Sequence, residues 1–166
     1  SKKYKINFLI NSAGFASGSI FEMTSISDIK KIFDINFFSQ LRVIQLILRL
    51  MRNSKNASIC NVGSISGITP MRGNLSYGSS KSAIMFATKV LSKELIPYKI
   101  RVNAVAPGVV ISKMADIMDK QVRQKMLKKS TLNKELKPSE VAKKIVFLCS
   151  DRAIKLNGHI LKFSGN

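Results

Sequence analysis

Apolar residues along this chain fall into short continuous runs separated by longer stretches of helical spacing. Residues 6–10, INFLI, form an apolar run that stops at Asn-Ser-Ala-Gly, the pattern of a strand entering a turn. Over 25–52 the apolar positions Ile29, Ile32, Phe33, Phe37, Leu41, Ile44, Leu48 and Met51 recur at helical spacing. Ser25 or Ser27 can cap that helix, and Asp28 suits its first turn. ASICNV at 57–62 reads as a second strand. A Gly/Ser-rich loop follows through Asn74, then a helix over 76–96 that ends at Pro97. IRVNAV at 100–105 is a third strand, stopped by a turn at Pro107-Gly108. A lysine-rich amphipathic stretch covers 113–136. Pro138-Ser139-Glu140 opens a helix that runs through Cys149, and HILKF at 159–163 is the last strand.

Strands that alternate with helices predict a parallel sheet joined by right-handed crossovers. The strands are near-continuous apolar runs, as expected where both faces of a sheet are covered. No repeat, low-complexity tract or linker divides the chain, so residues 1–166 read as a single domain. In such a sheet the functional crevice lies beyond the carboxyl ends of the strands. Three polar clusters fall there: Asn11–Gly14, Gly63–Ser66 and Pro107–Gly108.

Composition narrows the setting. The 166 residues are 45% hydrophobic and 22% charged, enough to bury a core. No uncharged apolar run approaches the roughly 18 residues of a membrane span. The amino-terminal apolar stretch is broken by Asn7 and Asn11, unlike an export signal. Two cysteines do not make a disulfide framework, and a reducing cytoplasm is the expected setting. With 28 Lys and Arg against 9 Asp and Glu, the formal charge of +19 would attract polyanions such as nucleic acid or an acidic carrier protein. Lysine, isoleucine and asparagine are all abundant, the bias of a genome rich in A and T codons. The basic residues are not interleaved with aromatics, so nucleic acid is not the expected partner.

Tyr77 and Lys81 lie four apart in YGSSK, on one helical face. A cation close to a phenol favours the phenolate and suits it to acid–base work near neutral pH. The same pair also occurs in many helices as a packed ring beside a solvated charge. Ser64, at the end of the second strand, can donate to a carbonyl oxygen that gains negative charge, or simply satisfy turn backbone. Asn36 is a polar residue on an otherwise apolar helix, where a buried amide bonded to backbone is the plainer account.

Together these residues resemble the short-chain dehydrogenase/reductase family over essentially the whole chain. Asn11-Ser12-Ala13-Gly14 resembles the family's Asn-Asn-Ala-Gly turn, with serine as the second residue. Asn36 matches the helix asparagine, Ser64 the catalytic serine, and Tyr77 with Lys81 the Tyr-x-x-x-Lys pair. IRVNAVAPGVVIS at 100–112 is similar to the stretch that covers the nicotinamide, and NGHILKFSGN to the closing strand. Within the family the 3-oxoacyl-[acyl-carrier-protein] reductase type is the nearest likeness.

The resemblance implies a Rossmann-like, doubly wound α/β sheet and an NAD(P)-dependent oxidoreductase acting on a carbonyl or secondary alcohol, with NADP ahead of NAD as cofactor. It implies that Asn36, Ser64, Tyr77 and Lys81 are catalytic. Tyr77 exchanges a proton with the substrate oxygen. Lys81 lowers the tyrosine pKa and holds the nicotinamide ribose, Ser64 polarises the carbonyl, and Asn36 positions a relay water. Asn11, Ala13 and Gly14, with Tyr77, Lys81, Pro107, Gly108, Val110 and Ser112, are the implied cofactor-binding residues. The implied partners are a small carbonyl or acyl-carrier substrate and further copies of the chain, assembled through the helices at 25–52 and 76–96 and the final strand.

None of the nine glycines forms the Gly-x-x-x-Gly-x-Gly phosphate turn. Family members usually place further βα units before a strand like that at 6–10. The chain therefore reads as the carboxyl-terminal two-thirds of such an enzyme, about four strands with flanking helices, its first strand left with an open edge. A scaffold that keeps the fold but not cofactor binding is the competing reading. Met114, Met118, Met126 and Leu127 could wall a substrate site, and the nearby lysines with Arg72 and Arg123 could meet an acidic carrier. His159 has no partner constellation, and no metal-ligand spacing is present.

Overall fold

The computed structural model describes residues 4–52, 54–116, 120–128, 130 and 133–164. Four strands lie parallel in one sheet in chain order: β1 (Phe8–Asn11), β2 (Ser58–Val62), β3 (Arg101–Pro107) and β4 (Ile160–Phe163). The register sets Asn11 opposite Asn61, Val62 opposite Val105, and Pro107 opposite Phe163. β3 reaches two residues further than its apolar run suggested. Pro107 has no N–H to offer the sheet, but its neighbour β2 has already ended there, so no bond is lost.

The helix expected over 25–52 is continuous but not uniform. α1 (Ile26–Phe33) passes through a π-turn at Asp34–Phe38 into α2 (Ser39–Met51). Ser25, not Ser27, is the cap: its Oγ accepts from the Asp28 N–H at 3.1 Å. α3 (Leu75–Glu94) stops before Pro97, which sits in a short turn closed by Lys99 in the left-handed region, φ 57°. Among the described residues the amphipathic stretch is helical over α4 (Lys113–Asp116) and α5 (Lys120–Lys128), and then Leu136 bridges to Val110. α6 (Pro138–Cys149) begins at its proline, with Glu140 accepting from the Lys137 N–H at 2.6 Å.

The strands divide their side chains between two cores. Ile59 and Val102 pack with Ile44 and Met51 of α2 and with Leu95 just beyond α3. Cys60 and Val105 point the other way and pack with Leu148 and Cys149 of α6. The sheet is thus covered on both faces, as a doubly wound fold requires. The strands advance in one direction, yet the third connection runs over the opposite face from the first two. Its hand is therefore reversed, and the expectation of right-handed crossovers throughout does not hold. The handedness rule acts through strand twist feeding directly into a following helix. Residues 108–137 separate β3 from α6 and release the helix from that constraint. Arg101 then fixes where α6 ends: its guanidinium donates to the carbonyls of Leu148 (2.9 Å), Ala153 (3.0 Å) and Cys149 (3.3 Å).

Phe8 and Ile10 on β1 are 47% and 43% exposed, and among the described residues nothing pairs with the outer edge of this strand. No helix among the described residues is long and apolar enough to cross a membrane.

Candidate active site

The strand ends and the start of α3 form the site. Ser64 follows β2 directly, and its Oγ accepts from the Ser66 N–H at 3.1 Å, shaping the short turn Ile65–Gly67. That turn presses against α3. A Cβ on Gly67 would lie 2.7 Å from the Ser82 nitrogen, and one on Gly78 would lie 2.8 Å from the Ser66 carbonyl oxygen. Only glycine permits both approaches, and they seat the turn that begins after Ser64 against the helix turn that carries Tyr77. The small residues of YGSSK thus seat the loop as well as space the tyrosine from the lysine.

Lys81 is 3% exposed. Its Nζ donates to the Val62 carbonyl at 2.8 Å and lies 5.9 Å from the centre of the Tyr77 ring. Loss of water lowers its pKa from 10.5 to about 8. Burial also pushes the Tyr77 hydroxyl above its ordinary value, and the nearby Ser64 hydroxyl only partly offsets this. The expectation that Lys81 lowers the tyrosine pKa therefore fails for the chain by itself. The ammonium is directed at a carbonyl rather than at the phenol oxygen, and desolvation dominates both groups.

Asn36 occupies the π-turn with no exposed surface. Its Oδ1 accepts from the Phe15 N–H at 2.8 Å, and its Nδ2 donates to the Phe15 carbonyl and to Ser80 Oγ, both at 2.9 Å. Here the side chain clamps the loop after β1 onto α3, the plainer of its two readings. One turn later Gln40 Nε2 donates to the Ala13 carbonyl at 2.9 Å. Sequence reasoning passed over Gln40, although its place four residues after Asn36 on one helical face was a usable signal. Gly14 is held against the lysine: a Cβ there would sit 3.2 Å from Lys81 Nζ and 3.5 Å from Asn36 Oδ1.

Asn11 turns inward and donates to Asn61 Oδ1 at 2.9 Å, and Asn61 donates to Thr88 Oγ1 at 2.9 Å. Neither Asn61 nor Thr88 stood out in the sequence, because each lies in an element read as apolar. Their ladder fixes the end of β1 to β2 and α3. The β3 exit lines the far rim. The Gly108 N–H donates to the Phe163 carbonyl at 2.8 Å, Val110 bridges Leu136, and Ser112 Oγ donates to the Val110 carbonyl at 3.1 Å. The structure therefore gathers Gly14, Asn36, Ser64, Tyr77 and Lys81, while Pro107, Gly108, Val110 and Ser112 follow the adjoining edge.

A hollow of about 160 Å³ lies between Ile65–Ser66 and Gly108–Val109, with Met126 and Leu127 on its outer side. Two of the four expected wall residues are thus in place. Met114 is not among those lining the hollow, and Met118 lies outside the described residues. Arg123 is not free for an acidic partner. Its Nη2 donates to Glu135 Oε2 at 2.9 Å, its Nε to the other oxygen, and its Nη1 to the Ala115 carbonyl at 3.1 Å. The His159 backbone is tied to Asn103 Oδ1 at 2.9 Å, a structural position.

Comparison with known proteins agrees with this geometry. A family model described as enoyl-(acyl carrier protein) reductase matches residues 1–165. The chain is 32% identical over 160 residues to the 3-oxoacyl-[acyl-carrier-protein] reductase FabG of Aquifex aeolicus, covering 96% of this chain and 64% of that protein. It is 33% identical over 165 residues to the FabG of Thermotoga maritima, covering 99% of this chain and 67% of that protein. The angucycline C-6 ketoreductase LanV with bound NADP superposes with a TM-score of 0.89 at 25% identity, over 98% of this chain and 62% of that one. The chain spans about two thirds of the length of the relatives it matches. It belongs to the short-chain dehydrogenase/reductase family, and within it is most like the 3-oxoacyl-[acyl-carrier-protein] reductases.

Proposed function

We propose that the chain carries the catalytic half of an NAD(P)-dependent reductase acting on a carbonyl group, with a 3-oxoacyl chain on a carrier as the favoured substrate. One observation supports this above the rest: the buried Lys81 ammonium is bonded to the Val62 carbonyl at the end of β2, 5.9 Å from the centre of the Tyr77 ring, and Ser64 follows two residues after that carbonyl. The residues present also fit the nicotinamide end of such a cofactor. Gly14 leaves a niche beside Lys81 Nζ that any Cβ would fill, and in this reading, on the family resemblance, Asn11, Ala13, Pro107, Gly108, Val110 and Ser112 complete the cofactor site. When bound, the cofactor supplies the hydride.

In this reading Ser64 donates a hydrogen bond to the substrate oxygen as negative charge builds there. Tyr77, held as a neutral phenol by its burial, is the acid that delivers the proton to that oxygen. Lys81 stands ready to stabilise the phenolate left behind and to hold the ribose. Asn36, across the Gly14 niche from the ammonium, joins the route by which the proton is replaced. LanV with bound NADP supports NADP ahead of NAD. Exposed Val43, Leu46 and Leu50 on α2, with Phe86 and Val90 on α3, support assembly with further copies through these helices.

The test is titration of the purified chain with NADPH and NADH, followed by reduced-nicotinamide fluorescence, with Lys81→Ala as control. Saturable binding that the variant loses is the expected result, and a 3-oxoacyl thioester is then the first substrate to try. No binding by a chain shown to be folded would select the scaffold reading instead.

A further inference from the structure

Two amides on the helix that runs from α1 into α2 grip the loop after β1 on either side of Gly14. Asn36 holds Phe15, which follows the glycine, by its N–H at 2.8 Å and its carbonyl at 2.9 Å. Gln40, one turn later and 2% exposed, holds Ala13, which precedes it, through a 2.9 Å bond from Nε2 to the carbonyl. A carbonyl only accepts, so the amide nitrogen must face Ala13 and the orientation of the Gln40 amide is settled. Its Oε1 is then buried with no hydrogen-bond partner among the described residues. An unpaired buried acceptor lowers stability, and an apolar side chain of the same length would fill the space without one. Packing is therefore a poor account of a glutamine at this position. What the amide adds is the bond to Ala13.

Gly14, fixed from both sides, stands against the lysine: a Cβ there would lie 3.2 Å from Lys81 Nζ and 3.5 Å from Asn36 Oδ1. We propose that Gln40 is a positioning residue of the active site, acting through the Ala13–Gly14 peptide to set the width of the niche beside Lys81 that receives the nicotinamide end of the cofactor. The inference rests on the proposed reading of this site as a nicotinamide site. With Ala13 tied, the loop keeps water from the ammonium, which is 3% exposed. Without the tie the loop is held only through Phe15, Gly14 drifts from the lysine, and water regains Nζ. The titratable neighbour of Lys81 is Tyr77, a neutral phenol with its raised pKa, and no charged side chain adds to the fall in the lysine's own value. The Lys81 titration therefore reports how closely the loop covers it.

The test sets the whole chain beside Gln40→Met, whose side chain has similar length and no amide, with Gln40→Leu as a second variant should methionine pack badly. Three measurements are read together. In urea at pH 7 the midpoint of Gln40→Met should equal or exceed the parent's, because an unpaired acceptor is removed and water regains Lys81. Adding Lys81→Met to parent and variant isolates the lysine: the change in its effect between pH 8 and pH 10.5 should be clear in the parent and largely gone in the variant. NADPH, followed by its fluorescence, should bind the variant about tenfold more weakly. A lower midpoint with lysine titration and NADPH affinity unchanged would make Gln40 a structural amide and overturn the proposal, as would failure of both variants to fold. A folded parent that binds no NADPH counts against the cofactor reading alone, and the lysine titration then decides the role of Gln40.

Discussion

Replacing Lys81 by methionine should change stability in a way that reverses sign with pH. In the folded chain the ammonium is 3% exposed and its pKa falls from 10.5 to about 8. At about 1.4 kcal/mol per pH unit, that separation is a penalty of roughly 3 kcal/mol on the charged form. Between these two values the unfolded chain binds the proton that the folded chain has released, so stability rises with pH across the window. Below pH 8 both states are protonated and the whole penalty is present. Methionine has nearly the same length and no charge, but it gives up the 2.8 Å bond to the Val62 carbonyl, a loss of about 1 kcal/mol. The variant should therefore be more stable than the parent by about 2 kcal/mol at pH 7, and less stable by about 1 kcal/mol above pH 10.5. Urea denaturation of both proteins at pH 7, 8.5 and 10 gives the difference directly, and shared titrations of the other lysines cancel. A difference that stays flat with pH would refute the reasoning, because it would mean that water or a counter-charge reaches the ammonium.

Three further outcomes follow from the same contacts. Tyr77→Phe removes the proposed acid but keeps the ring, so carbonyl reduction should fall by about 10²–10⁴ in kcat while nicotinamide affinity holds; a loss confined to KM would count against that role. Gly78→Ala should lower stability by about 1–3 kcal/mol despite alanine's better helix propensity, because its Cβ would lie 2.8 Å from the Ser66 carbonyl. A thermal melt with an unchanged or higher Tm would show that the turn at 65–67 yields freely. Ile10→Lys, at a 43% exposed position on the open edge of β1, should reduce concentration-dependent light scattering, and equal scattering would mean that this edge does not drive association.

What the sequence made legible was whatever local pattern controls. The apolar runs gave all four strands within two residues at either end, and Pro138 gave the start of α6. Gly14, Ser64, Tyr77 and Lys81 came together because strand ends and the early turns of helices converge on one side of any parallel sheet, and Asn36 joins them from mid-helix through its bonds to Phe15 and Ser80. Local pattern could not show the hand of the last crossover, which depends on which face α6 covers. Nor could it show Asn61 and Thr88, whose amide and hydroxyl matter only once β1 and α3 stand beside β2. The Tyr77 pKa was misjudged for a related reason. Spacing along a helix places a cation near a phenol, but it does not tell which carbonyl the cation faces or how dry the pair becomes.

The strands lie in the sheet in the order in which they are synthesised. Each of β2, β3 and β4 can therefore pair with a strand already made when it emerges. The separations to be closed are similar, about 50 residues for β1 to β2, 43 for β2 to β3 and 56 for β3 to β4, taken from paired positions. Closure entropy grows only with the logarithm of that length, so the three steps differ by a few tenths of a kcal/mol. Over these four strands, assembly can then proceed on the ribosome as a one-way growth, each finished crossover serving as the template for the next.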